Sequence, residues 1–150
     1  MKMRVLFAVL LLVCSCTKLE EQTSIGAFSE NTHNQLLPYL YMFVQDAREN
    51  GVDLGYVFDA DNTIELKFAR LNGAAGRSWT WKNDKKIKVW IDHGFFSRMD
   101  NQHRIELIYH ELGHDILGLD HNEKSEIMVD GSVRDIPADA LELEIKKLFK

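Results

Sequence analysis

Beyond residue 16 this sequence contains no cysteine; its only two, Cys14 and Cys16, stand almost side by side near the start. No disulfide can therefore cross-link the fold, even in an oxidising compartment. For the same reason no thiol is available to block a metal site from a pro-segment. The domain must rest on its hydrophobic core, which a domain of roughly 120 residues can do. Positive charge is also in deficit, with 18 Lys and Arg against 23 Asp and Glu and a net charge of -5. That balance argues against a nucleic-acid partner, which needs a concentrated basic surface. The local basic run Lys82, Lys85, Lys86 and Lys88 is interleaved with a strand-like pattern and reads as a solvated face. What is present, 45% hydrophobic and 27% charged residues in 150, describes one folded domain rather than a disordered chain.

A strongly apolar run occurs at the very start. Lys2 and Arg4 precede Val5 to Val13, which is too short to span a bilayer as an ordinary helix and reads as the core of an export signal. Val13-Cys14-Ser15-Cys16 resembles a bacterial lipobox, with the small Ser15 just before a cysteine that is cut and lipidated. Cys16 is thus expected as the lipid-bearing mature N-terminus, in place of Cys14, which follows the bulky Val13. The sequence divides into a signal peptide over 1–15, a polar tether over 16–31 and a folded domain over 32–150. Export to the bacterial cell envelope follows, with the membrane as a partner through the lipid.

Within the domain, Leu36, Leu37, Leu40, Tyr41, Phe43, Val44 and Ala47 recur at helical spacing, and Gly51 is placed to end that helix. Pro38 falls in its first turns, where proline is tolerated. Short strand-like runs follow at Gly55 to Phe58, Ile64 to Ala69, Ser78 to Trp81 and Ile87 to Ile91, with Asn83-Asp84 suggesting a hairpin turn. A second long helix should begin between Ser97 and Asn101, either through a Ser97-x-x-Asp100 capping box or on Asp100 or Asn101 itself. It carries an apolar stripe of Ile105, Ile108, Leu112 and Ile116 and ends at Gly118. A final helix over Ala138 to Phe149 starts behind Pro137.

The chemistry lies in His110-Glu111-Leu112-Gly113-His114-Asp115-Ile116-Leu117-Gly118-Leu119-Asp120-His121. Its first five residues spell H-E-x-x-H. On a helix, residues four apart lie one turn above each other, so His110 and His114 can reach one zinc ion. Glu111 is rotated by about 100° from His110 and is left free to take a proton. Catalytic zinc usually has three protein ligands. Gly118 can take a positive φ and let the chain turn back, which offers His121 as the third ligand.

The segment resembles the metzincin peptidases, whose motif is H-E-x-x-H-x-x-G-x-x-H, and Leu117-Gly118-Leu119-Asp120-His121 is closest to the matrixin wording. It departs from the motif by one residue, having three rather than two between His114 and Gly118. Because some metzincins use aspartate as the third ligand, the resemblance also makes Asp120 the rival of His121. The longer form H-E-L-G-H-x-x-L-G-x-D-H is similar to that of small bacterial lipoproteins grouped with metallopeptidases. The resemblance implies that Ser125-Glu126-Ile127-Met128 supplies the methionine turn beneath the zinc, with Met128 as its methionine. No tyrosine follows Met128, so the extra tyrosine ligand of astacins and serralysins is missing. His33, His93 and His103 read as surface or capping residues. Trp79, Trp81 and Trp90 read as strand packing.

The expected fold is α+β: a small mixed β-sheet, an N-terminal helix, a zinc-binding active-site helix, a Met-turn and a C-terminal helix. The expected function is a monomeric zinc endopeptidase acting on peptide or protein, in which Glu111 activates a zinc-bound water. The resemblance implies an edge strand along the cleft, and Ile87 to Ile91 is the candidate. Two other classes share these residues: a binding lipoprotein stabilised by zinc, and a hydrolase of non-peptide amides.

Overall fold

The computed structural model describes residues 32–79, 86–131 and 135–150. The signal peptide, the tether, Cys16, Trp81 and the Asn83-Asp84 turn lie outside the described residues. The fold is α+β, with four α-helices and a three-stranded mixed sheet among the described residues. Among the described residues no helix is long and apolar enough to cross a membrane.

The first helix, α1, spans Leu37–Glu49, with Pro38 in its opening turn, and buries Leu40, Phe43 and Ala47 on one stripe. The run Gly55–Phe58, expected as a strand, is instead a short 3-10 helix. Asp53 accepts a hydrogen bond from the Gly55 amide, and the Val57 amide closes a turn onto Leu54. These local bonds satisfy the backbone without a neighbouring strand. A four-residue apolar run does not carry enough periodicity to separate the two outcomes.

Strand β1 covers Thr63–Ala69, β2 Gly76–Ser78 and β3 Lys86–Asp92, in the order β1-β3-β2. β1 pairs parallel to β3, with Ile64, Leu66 and Phe68 opposite Ile87, Val89 and Ile91. β2 pairs antiparallel to β3, with Ser78 opposite Val89. Among the described residues Ile87 to Ile91 is therefore the central strand and not the edge strand for which the resemblance to metzincins made it the candidate. Alternation records which face a side chain takes, and a central strand with one wet face alternates as an edge strand does. The edge nearest the helices is β2. The outer face of the sheet carries Trp90, whose indole donates to Glu65 at 2.7 Å, and Trp79, packed edge-on against Trp90. The two tryptophans thus pack on the sheet.

The inner face (Ile64, Leu66, Ile87, Val89, Ile91) is buried. A short helix, α2, spans His93–Phe96 behind the Asp92 cap, and was not foreseen. The long helix α3, Asn101–Leu117, joins the sheet to α1, since Tyr109 is wholly buried and donates its hydroxyl to Asp46 at 2.5 Å. α4, Ala138–Leu148, closes the core through Leu148 and Phe149.

Candidate metal centre

Helix α3 is started by Asp100, whose carboxylate accepts from the His103 amide at 2.9 Å; Ser97 plays no part in this cap. It ends at Gly118, which adopts φ +66°, and the Leu119 amide then reaches back to the Gly113 carbonyl at 3.1 Å. This left-handed exit is open to glycine at little cost and turns the chain toward the cleft. The helix runs on through Leu117, three residues past His114.

That exit brings His121 to His110 and His114, and one donor atom from each of the three lies within 4.8 Å of the others. His110 and His114 have their Nε2 atoms 3.1 Å apart. Tetrahedral zinc–nitrogen bonds of about 2.0–2.1 Å hold two nitrogens at about this separation. The hydrogen bonds of the rings explain their poise. His110 Nδ1 lies 2.7 Å from the Ile127 carbonyl and His114 Nδ1 lies 2.6 Å from the Leu119 carbonyl. A carbonyl only accepts, so each Nδ1 is the donor and each neutral ring presents a lone pair at Nε2. With both rings neutral, two lone pairs facing at this distance suit a cation between them, and such backbone partners hold metal-binding imidazoles in the required tautomer. Protonation is disfavoured at His110, whose pKa is lowered first by burial and further by His114 and His121, against the pull of the Ile127 carbonyl. His121 is half exposed, and its Nδ1 lies 3.5 Å from Asp130. The rival Asp120 stands outside the histidine group and is exposed, with its amide bonded to Glu123.

Glu111 is buried against β2. A Cβ placed on Gly76 would fall 2.4 Å from Glu111 Oε1, so glycine is what lets the strand pass this carboxylate. Burial pushes the Glu111 carboxyl up to about 7, while a hydrogen bond with Ser78 and the charge of Arg77 pull the other way. One turn further, Asp115 accepts from the Lys88 amide at 3.0 Å, and burial followed by the Glu111 charge raises it to about 7 as well. The sequence reading passed over Asp115, although its i+4 spacing from Glu111 was visible.

Met128 is fully buried under α3 at Gly113, where an added Cβ would lie 2.6 Å from its sulfur. It belongs to a 3-10 turn, Glu126–Met128, that α4 holds in place. The Ser125 hydroxyl donates to the Glu144 carbonyl at 2.8 Å, and the Glu144 carboxylate accepts from the Glu126 amide at 2.9 Å. This turn delivers the Ile127 carbonyl to His110. Gly113→Ala should therefore destabilise the protein by about 1–3 kcal/mol through overpacking, although alanine is the better helix former in the open. Thermal unfolding checks the sign, and an unchanged or higher Tm would mean that Met128 yields freely.

The three histidines and Glu111 open on a cleft of about 890 Å3, also lined by Gly76, Ser78 and the 127–131 segment. His103 lines the same cleft but is bonded to Asp100. His93 and His33 each pack edge-on against Phe68. Neither joins the histidine group. No protein-family model and no curated protein matches the chain.

Proposed function

We propose that this chain is a zinc-dependent endopeptidase of the metzincin type, with His110, His114 and His121 as metal ligands and Glu111 as general base. The observation that carries the reading is the pair of imidazoles locked as Nδ1 donors, with their Nε2 atoms facing each other beside a buried carboxyl group in an open cleft. Zinc, when bound, supplies Lewis acidity that polarises a carbonyl and makes water acidic. Glu111 then takes the proton of the attacking water and returns it to the nitrogen of the departing amine. A carboxyl group whose pKa is near 7 is suited to both transfers at neutral pH. Met128 and the Ile127 carbonyl keep His110 in register, which is the part the resemblance gives to a Met-turn. An extended peptide would add along β2, the sheet edge that borders the cleft. Export and lipid attachment at Cys16 belong to the same reading.

One preparation of the full chain, made in a bacterium that processes lipoproteins, tests these points together. Mass spectrometry of the N-terminus should find an acyl-bearing Cys16, metal analysis about one zinc per chain, and a denatured protein mixture should be cut until a chelator is added. Absence of stoichiometric metal after zinc addition would refute the metal assignment, and absence of an acyl chain would refute the anchor.

A further inference from the structure

We propose that Glu106 makes the cleft beside the histidines a pocket for a cationic side chain, so that the substrate carries lysine or arginine next to the bond that is cut. The inference rests on the peptidase reading and adds its substrate class. Glu106 precedes His110 by one helical turn, about 6 Å along the axis, and both line the same cleft. Its side chain is only 3% exposed. One carboxylate oxygen, Oε1, accepts from the Gln102 amide at 2.8 Å, and that amide also meets the Ile136 carbonyl. The other, Oε2, is buried and has no hydrogen-bond partner among the described residues.

A buried carboxylate oxygen left without a donor is costly, and a ligand that brings a donor recovers that cost. The nearest candidate within the fold does not serve. His103 directs Nδ1 to Asp100 at 2.8 Å and Nε2 toward Asp135 at 3.8 Å. Burial raises the Glu106 pKa, against Gln102 and His103, as expected of a carboxylate short of positive charge. Phe95, Met99, Leu107, Val129 and Ile136 supply apolar walls of the same cleft. A carboxylate at the end of such walls matches a side chain with an apolar stem and a charged tip. The exposed carboxylates Asp100, Asp130 and Asp135 favour the approach of a cation. A purely structural Glu106, serving only to hold Gln102, would need one oxygen and would impose no side-chain preference.

The test uses zinc-loaded full chain and short peptide hydroxamates that differ in one residue flanking the chelating group, lysine against norleucine, which keeps the stem and loses the amine. Calorimetry on the wild type should show the lysine compound binding at least about 10-fold tighter, the scale of one charge-assisted hydrogen bond. Glu106→Gln should bring the ratio close to one, and Glu106→Asp should retain part of it. Should Glu106→Gln fail to fold, Glu106→Asp and the wild-type ratio still decide. A flat wild-type ratio at both flanking positions, or a preference that survives Glu106→Gln, would overturn the assignment. A flat ratio in a protein that does cleave peptides removes the pocket and leaves the peptidase. A lysine preference without any cleavage keeps the pocket and removes the peptidase.

Discussion

Glu111→Gln should cut peptide hydrolysis by about 10²-fold or more, the usual scale of lost general acid–base help, while zinc content and the Tm of the zinc-loaded protein do not fall below wild type. The separation follows from the geometry. Glu111 stands against Gly76 and Ser78, outside the group formed by the three imidazoles. Glutamine keeps the size and can keep the Ser78 hydrogen bond, yet cannot take a proton. A further consequence concerns stability. A carboxyl group raised to about 7 by burial favours folding at low pH, and that contribution is lost as pH rises through its folded pKa. Glutamine has no proton to lose, so metal-free Glu111→Gln should gain on metal-free wild type between about pH 5 and 8. If the wild type cleaves nothing, yet binds zinc and a specific partner as well as Glu111→Gln does, a binding lipoprotein replaces the enzyme.

His114→Ala should behave in the opposite way, losing metal and activity together. Its Nε2 is one half of the closest donor pair, and its Nδ1 is fixed by the Leu119 carbonyl. Removing an outer partner of a metal ligand typically costs 10–100-fold in affinity, and removing the ligand itself should exceed about 100-fold. His121→Ala should fall in the same class. Asp120→Ala should change affinity by no more than a few-fold, because Asp120 lies outside the group and is exposed. Zinc titration against a competing chelator ranks the four proteins. Asp120→Ala losing more metal than His121→Ala would reassign the third ligand.

The parts of this centre that the sequence made legible are those governed by local geometry. His110 and His114 are four apart on a periodic helix, so their shared face follows from 3.6 residues per turn. Gly118 signalled the helix end, and the structure has it at a positive φ. The helices at Leu37–Glu49 and Ala138–Leu148 follow their apolar stripes, and the mixed α+β character follows from helices set around alternating strands. Errors fell where local patterns are degenerate. The four residues of Gly55–Phe58 satisfy their hydrogen bonds in a turn, and the alternation of β3 could not tell a central strand from an edge.

The sequence by itself determined that His110 and His114 share a helical face, where the helix that bears them ends, and that one carboxylate lies on the adjoining face, because these depend on neighbours within a turn or two; that His121 and not Asp120 joins them was decided by the fold. Only the tertiary structure decided what surrounds them. The Ile127 carbonyl on His110, Asp130 beside His121, Gly76 against Glu111, and Ser125 held by Glu144 bring together residues 9 to 35 positions apart or cross between elements. The open oxygen of Glu106 likewise depends on where Gln102, Ile136 and His103 come to rest. Burial raises the carboxyl groups of Glu106, Glu111 and Asp115, and backbone carbonyls select the imidazole tautomers; burial is a property of packing between distant segments, which spacing along the chain does not record.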